Sequence, residues 1–284
     1  MIYLNGKFMP IEEAVIPVLD RGFIFGDGVY EVIPVYSRLP FRVEGHLLRL
    51  QESLDSIRLD NPHTDSEWRQ LLAGLIERNE PEDQSLYLQI TRGVAKRDHA
   101  FPENTIPTVF MMSNPLVPPT SDQIESGVSA ITAPDNRWSR CDVKSTALLP
   151  NVLLRQLAVD AGCTETLLVR DGLLTEGSAT NVFVIRDGII LTPPKSNLML
   201  PGITYDLVLE LAAANDVAYE VRNIAEAELI SADEIWITSS SKEVLPVTTL
   251  NGSLVGNGHP GPVFKRMHDL YQDYKVQVMR TATA

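Results

Sequence analysis

The chain is poor in cysteine and in basic residues. Its 284 residues include two cysteines and carry a formal net charge of −13. Nucleic-acid binding is disfavoured, because neutralising phosphate groups requires clustered Lys and Arg, which are missing. Cys141 and Cys163 show neither a CxxC spacing nor a histidine motif, so we expect two reduced thiols and no metal site.

Long hydrophobic runs are missing as well. No apolar run approaches the length of a membrane span, and the segment from Met1 to Gly6 already reads as a strand entering a turn. We therefore expect a soluble, cytoplasmic protein with no membrane partner. The hydrophobic content of 44% in a chain of 284 residues is sufficient for a large core and for two lobes.

Strand-like and helical periods are mixed along the chain without regular βαβ alternation. Residues 29–36 are strand-like and residues 43–59 have helical spacing, which together favour an α+β fold over a doubly wound parallel sheet. The segment 114–124 is rich in Pro, Ser and Asp and reads as an interdomain linker. We therefore predict a smaller N-terminal α+β domain over 1–119, a larger C-terminal α+β domain over 120–284, and an active site in the cleft between them.

The segment from Arg170 to Thr204 is the most informative part of the chain. Two Asp-Gly pairs, at 171–172 and 187–188, each join short apolar runs, which predicts two β-hairpins. Near its end, a turn containing Gly202 opens a helical pattern over 205–214. Such a turn presents backbone N–H groups that suit an anion such as phosphate.

Lysine is scarce, with seven in the chain, and Lys144 differs from the others. It follows a segment predicted as a strand over 137–143 and precedes an apolar run, so we expect its amine to point into protein. Desolvation disfavours the ammonium form and frees the amine as a nucleophile. Taken alone, a lysine that reaches solvent from a strand end is the commoner interpretation.

Three features together predict pyridoxal phosphate as the cofactor. This cofactor needs an amine for its aldehyde, an acid facing its ring nitrogen and a cup for its phosphate. Lys144 is the candidate amine, Glu176 is a carboxylate followed by small residues, and the turns at 202–204 and 238–241 are candidate cups. Each feature also has an ordinary interpretation, since Glu176 could close a hairpin and serine runs are usually turns.

These motifs, over about Tyr3 to Tyr274, resemble those of the fold-type IV pyridoxal phosphate enzymes. The resemblance implies a two-lobed fold, a Schiff base on Lys144, and Glu176 at the ring nitrogen. It also implies that Leu200 packs on the ring. The residues that it assigns to the phosphate region are Arg49 of a His-x-x-Arg signature, Ile203, Thr204, Ser239 and Ser240.

A second resemblance concerns the substrate. Tyr30, which begins a strand, and the pair Arg97 and His99 on a turn-rich loop resemble the substrate-carboxylate residues of the D-amino acid aminotransferases. The resemblance implies a homodimer in which the Arg97 loop completes the neighbouring subunit's site. It also implies ping-pong transamination, with D-alanine and 2-oxoglutarate giving pyruvate and D-glutamate by default.

Other interpretations remain open. A branched-chain L-amino acid transaminase or an R-amine transaminase would have the same fold, but neither is expected to carry both Arg97 and His99. From a different class, the chain could be a catalytically silent dimer that binds pyridoxal phosphate. For Arg97 and His99 themselves, an exposed loop of alternating charges is the ordinary interpretation.

Overall fold

A computed structural model describes residues 1–281, which divide into two compact units. The first unit comprises 1–116, 143–148 and 279–281, and the second comprises 117–142 and 149–278. The segment 143–148, which contains Lys144, therefore belongs to the first unit, whereas the sequence analysis expected this lysine in the C-terminal domain. The reason is local pairing: Ser145 forms a β-bridge with Val29.

A six-stranded antiparallel sheet forms the centre of the first unit, with strand order β2-β1-β6-β5-β3-β4. Its strands are β1 (Ile2–Leu4), β2 (Lys7–Met9), β3 (Gly28–Tyr36), β4 (Leu39–Pro40), β5 (Gln84–Thr91) and β6 (Thr108–Pro115).

Three helices accompany this sheet: α1 (Arg21–Phe25), α2 (Val43–Ser56) and α3 (Asp65–Glu77). Leu47, Leu50 and Leu54, at helical spacing on α2, are buried in one cluster with Ile33 of β3 and other sheet residues. Successive residues of β3 point to opposite faces, as in any strand. Glu31 therefore lies on the buried face with Ile33, while Tyr30 is half-buried on the other.

The second unit is built on a nine-stranded mixed sheet with the order β12-β11-β10-β13-β14-β7-β8-β9 and with β15 paired to β14. Its strands are β7 (Val128–Pro134), β8 (Glu165–Arg170), β9 (Leu173–Gly177), β10 (Asn181–Arg186), β11 (Ile189–Thr192), β12 (Tyr219–Val221), β13 (Glu234–Ser239), β14 (Glu243–Leu250) and β15 (Ser253–Leu254). Its helices are α4 (Ser121–Glu125), α5 (Leu149–Asp160), α6 (Ile203–Ala214), α7 (Glu226–Ile230) and α8 (Pro262–Tyr274).

Both predicted hairpins are confirmed. β8 pairs with β9, and β10 pairs with β11, each antiparallel. Asp171 and Asp187 have φ values of 52° and 51°, and the glycines after them have 76° and 77°. Two successive left-handed residues give the tight turn that matches strand twist, and the Asp-Gly pair favours it.

The strand predicted over 137–143 is wrong, because this segment forms bends and a turn. Its apolar positions, Cys141 and Val143, are buried without strand pairing. Arg137, which begins the segment, is held by ion pairs with Asp135 and Glu176. Across residues 1–281, none of the helices combines the length and the apolar character needed to cross a bilayer.

Candidate active site

Lys144 and Tyr30 lie together in the first unit. The backbone N–H of Tyr30 donates to the carbonyl of Lys144 at 2.9 Å, and the backbone N–H of Lys144 donates to Ser53 Oγ at 3.3 Å. The Lys144 Nζ lies 4.3 Å from the centroid of the Tyr30 ring. A ring face at this distance attracts an ammonium group and limits where the amine points. The first unit therefore brings together the candidate cofactor lysine and one candidate substrate residue.

Arg49 lies on α2 and is engaged with a buried carboxylate. Its Nε and Nη2 donate to the two oxygens of Glu31 at 2.8 and 2.7 Å, a bidentate pair. His46, one turn earlier on the same helix, contacts Glu31 through Nδ1 at 2.8 Å. The sequence predicted no role for Glu31, which follows Tyr30, or for His46, which begins the His-x-x-Arg signature. The phosphate role of Arg49 stays a prediction.

Charge within this cluster is set by burial and pairing. Burial alone would raise the pKa of Glu31, but Arg49 and His46 hold it far below the ordinary value of 4.5. Burial lowers the pKa of His46, so its imidazole is neutral at pH 7. His46 Nε2 has no hydrogen-bond partner within the described part of the chain. Arg49 therefore enters the site with its charge already balanced by Glu31.

Arg97 and His99 are exposed on the loop between β5 and β6. Both lie beside Phe25 of α1: the Arg97 guanidinium carbon is 5.4 Å from the ring centroid, and the His99 ring is 5.5 Å from it. The first unit therefore gathers both residues around one aromatic ring, while Tyr30 is placed with Lys144. Their role in binding a substrate carboxylate stays a prediction.

Glu176 lies within β9 in the second unit, inside a hairpin strand rather than beyond it. One carboxylate oxygen accepts from Arg137 Nη1 at 2.5 Å, and the other accepts from the backbone N–H of Leu200 at 3.0 Å. Arg137 is itself held by the two oxygens of Asp135 at 2.9 and 3.0 Å. The carboxylate therefore has a fixed orientation, which a ring-nitrogen partner requires.

The proton affinity of this carboxylate is unusual. Burial raises the pKa of Glu176 to about 7, against the lowering effects of Arg137 and the Leu200 N–H. Asp135 is affected the other way, because the bidentate contact with Arg137 outweighs burial and lowers its pKa. Without a further cation, Glu176 is thus readily protonated. A protonated ring nitrogen would stabilise its ionised form.

The candidate phosphate cup lies at the start of α6. Gly202 is the N-cap and provides no side chain to cap the helix, so the first N–H groups, from Ile203 onward, are presented at its end. A Cβ at position 202 would collide with the side-chain oxygen of Asn181, so a larger residue here would have to displace that amide. The Asn181 amide also donates to the Leu200 carbonyl at 2.9 Å.

The end of β13 lies near this cup. Asn181 of β10 is the pairing partner of Thr238 of β13, so the residue that contacts Gly202 is also directly beside Thr238. The Thr238 hydroxyl is buried and has no partner among residues 1–281. Ser239 Oγ accepts from the backbone N–H of Lys242 at 3.1 Å, which closes the turn that contains Ser240.

Pyridoxal phosphate fits these residues. A buried, oriented carboxylate, an uncapped helix start and an unpartnered buried hydroxyl are the groups that its ring nitrogen and phosphate require. Sequence reasoning gave no role to Arg137 or Asn181, whereas Thr238 lies in the cup predicted over 238–241. No signal existed for Arg137, whose segment resembled a strand.

Solved structures identify the class of fold. The branched-chain amino acid aminotransferase of Escherichia coli aligns with a TM-score of 0.88 at 25% identity, covering 99% of this chain and 95% of that one. A second branched-chain amino acid aminotransferase, solved with pyridoxamine 5'-phosphate, aligns with a TM-score of 0.90 at 27% identity, covering 99% and 94%. The α+β fold is thus that of the fold-type IV aminotransferases, as predicted.

Sequence comparison then gives the family. The model of the class IV amino-transferase family matches residues 28–250. A D-alanine aminotransferase of Bacillus licheniformis is 42% identical over 272 residues, which are 96% of each chain. A D-alanine aminotransferase of Staphylococcus epidermidis is 36% identical over 273 residues, covering 96% of this chain and 97% of that one. The chain belongs to the class IV aminotransferase family.

Proposed function

We propose that this chain catalyses the pyridoxal-phosphate-dependent transamination of D-amino acids. The observation that carries the proposal is the similarity to D-alanine aminotransferases over 96% of the chain, at 42% and 36% identity. The branched-chain enzymes share the fold at only 25% and 27% identity. D-alanine and 2-oxoglutarate, giving pyruvate and D-glutamate, are the proposed default pair.

The geometry of each unit supports the cofactor roles that we propose for Lys144 and Glu176. Bound pyridoxal phosphate supplies the aldehyde that takes the amino group and the ring that stabilises negative charge at the substrate's α-carbon. Lys144 Nζ, beside the Tyr30 ring, would bind the cofactor through its aldehyde carbon and, once released, would take the proton from the substrate's α-carbon. Glu176, oriented by Arg137 and the Leu200 N–H, would pair with the ring nitrogen.

The remaining cofactor contacts belong to the phosphate and the ring face. We propose that the phosphate lies at the start of α6, against Ile203 and Thr204, and accepts hydrogen bonds from Ser239 and Ser240. Arg49 contributes positive charge, with the Glu31 pair fixing its orientation. The Leu200 side chain packs on the ring. An anion at an uncapped helix start interacts favourably with the helix dipole.

Substrate binding is assigned to Tyr30, Arg97 and His99. A guanidinium offers a fork to a carboxylate, and the phenol and imidazole add single hydrogen bonds. A carboxylate held at one place decides which hydrogen of the α-carbon faces Lys144 Nζ. Selectivity for D-amino acids would follow from that choice.

We also propose a homodimer in which the Arg97 loop completes the partner's site. Exposed apolar side chains support a protein interface. In the first unit Val15, Phe23 and Ile106 are 80%, 76% and 88% exposed, the last on the Arg97 loop. Single exposed apolar residues are ordinary, and large apolar side chains with this much exposure are compatible with a contact surface. The two free cysteines fit a reducing compartment such as the cytoplasm.

A half-reaction assay tests this function. Holoenzyme is mixed with D-alanine, L-leucine or (R)-phenylethylamine in the absence of an oxo acid, and the cofactor absorbance is followed as it changes to the pyridoxamine form. We expect rapid conversion by D-alanine alone. Conversion by L-leucine alone would identify a branched-chain enzyme, and conversion by the amine alone would identify an amine transaminase.

Lys144→Ala provides the matching variant. We expect it to fold and to bind the cofactor without a covalent bond, and to lose D-alanine turnover. Lys195→Ala is the control, because Lys195 is exposed and pairs with Asp206 at the surface. Turnover of D-alanine by the Lys144 variant, or no conversion by any of the three amines with unaltered holoenzyme, would refute the proposal.

A further inference from the structure

The loop that carries Arg97 and His99 is fastened to one buried arginine. Arg21 of α1 is 3% exposed, and its Nη1 donates to the carbonyls of Asp98 at 2.6 Å and Ala100 at 3.4 Å. These carbonyls belong to the two residues on either side of His99. The guanidinium therefore holds the loop through its backbone at the position where the imidazole is attached.

Phe25 supports the side chains of the same loop. The Arg97 guanidinium carbon and the His99 ring lie 5.4 and 5.5 Å from the Phe25 ring. The Arg21 guanidinium carbon lies 4.8 Å from that ring as well. The aromatic ring thus gives both candidate substrate residues a common surface. A guanidinium group that lies above the face of an aromatic ring is attracted to it.

Helix α1, which carries Arg21 and Phe25, is held in place by hydrogen bonds although it has only five residues. Asp20 caps the helix by accepting from the Gly22 N–H at 2.8 Å. The same carboxylate accepts from the hydroxyls of Thr91 on β5 and Thr108 on β6, at 2.8 and 2.6 Å. Helix α1 is therefore bonded to two neighbouring strands of the sheet. The loop that Arg21 and Phe25 of this helix contact is thereby positioned relative to the sheet.

Asp27 fixes the direction of the Arg21 side chain. It accepts from Arg21 Nε at 2.7 Å and from Arg92 Nε at 2.9 Å. The Arg92 guanidinium carbon in turn lies 3.8 Å from the ring centroid of Phe101, which directly follows Ala100 in the loop. One carboxylate thus aligns two guanidinium groups that hold the loop on both sides of His99.

We propose that Arg21 and Phe25 are positioning residues for the substrate's carboxylate, acting through His99 and Arg97 and not by touching the substrate themselves. This inference rests on the proposed function, because it assumes that Arg97 and His99 bind a carboxylate. It assigns to α1 a share of the affinity for amino and oxo acids. It assigns to α1 no part in holding the cofactor.

Steady-state kinetics of holoenzyme with D-alanine and 2-oxoglutarate test the inference. Phe25→Leu and Arg21→Lys are the variants, and Phe25→Tyr is the conservative substitution that keeps the ring. Arg69→Lys is the control, since Arg69 forms an exposed pair with Glu44 on another face. Cofactor absorbance and the melting temperature are measured for every variant.

We expect Phe25→Leu and Arg21→Lys to raise KM for both substrates by about tenfold while kcat changes far less, because a displaced contact group loses much of its effect. Phe25→Tyr should stay close to the unaltered enzyme. Cofactor content should be unchanged in all of them. Phe25 is half-buried, so its variants are expected to fold even if Arg21→Lys does not.

Two outcomes would overturn the inference. One is an unchanged KM for both substrates in folded Phe25→Leu. The other is a loss of kcat with cofactor content and melting temperature falling together, which is the signature of a structural role. If the unaltered enzyme does not use D-alanine, the proposed function itself fails. If Arg97→Ala weakens D-alanine binding and the α1 variants do not, the positioning role of α1 is refuted while the proposed function stands.

Discussion

Glu176→Gln in the cofactor-free protein should change how stability depends on pH. The carboxyl has a pKa of about 7 in the folded protein because it is buried, against an ordinary value of 4.5. The folded state therefore binds more protons than the unfolded state between these two values. Stability then falls as pH rises from 4.5 through 7, and the stabilisation is complete only below 4.5.

The magnitude follows from the same values. The difference between 4.5 and about 7 corresponds to roughly 3 kcal/mol, at about 1.4 kcal/mol for each pKa unit. Between pH 5 and pH 8 the unaltered protein should lose about 2.5 kcal/mol through this group. Glutamine cannot ionise, so the variant lacks this slope. Arg137 retains the bidentate contact with Asp135, which keeps its charge paired.

Urea unfolding at pH 5 and pH 8 measures the effect. The free energy of unfolding of Glu176→Gln relative to the unaltered protein should rise by about 2.5 kcal/mol between the two pH values. Glu52→Gln, on the exposed side of α2, is the control and should follow the unaltered protein. Bound pyridoxal phosphate should reduce the difference, because a ring N–H favours the ionised carboxylate.

Parallel pH profiles for the unaltered protein and Glu176→Gln would refute this reasoning. They would mean that Arg137 and the Leu200 N–H already balance burial completely. A variant that unfolds at both pH values would be distinguished by its far-ultraviolet circular dichroism.

Two further predictions concern Glu31 and the subunit interface. Glu31→Gln should cost about 3 to 5 kcal/mol of unfolding free energy at pH 7, because it leaves the buried Arg49 without this carboxylate. The pKa of Glu31 is far below 4.5, so the stabilisation that this carboxylate provides is present above pH 4.5 and is lost as the pH falls further. The unfolding free energies of Glu31→Gln and of the unaltered protein should therefore converge in acid. A cost of less than about 1 kcal/mol at neutral pH would contradict this. If the active sites are composite, mixing Lys144→Ala subunits with Arg97→Ala subunits should restore roughly a quarter of the activity of the unaltered enzyme. Mixed dimers that are verified by mass and are inactive would argue against shared sites.

The parts of the fold that sequence predicts well are those fixed by local chemistry. Asp171 and Asp187 with their glycines form the turns that their sequence requires, because few dipeptides adopt two left-handed conformations. The apolar spacing on α2 gives a buried face for the same reason, since it depends only on the helical period. Lys144 and Glu176 were predicted as site residues because their neighbours in sequence form motifs.

What sequence does not predict depends on partners far along the chain. Arg137 is buried because Asp135 and Glu176 pair with it, and Glu176 is 39 residues away. Arg49 is 5% exposed, and its charge is paired with Glu31, which lies on another element 18 residues away. Periodicity reports which face of an element is apolar, and it carries no information about which charges meet across a unit.

Leu200 has a property that matters for anyone wishing to alter this enzyme. Its N–H donates to Glu176 and its carbonyl accepts from Asn181, so the backbone of one residue ties the acidic strand to the start of α6. These ties involve no atom of the side chain. Position 200 can therefore be varied in size and shape while these backbone ties are kept, so variants there test the proposed contact of the side chain with the cofactor ring.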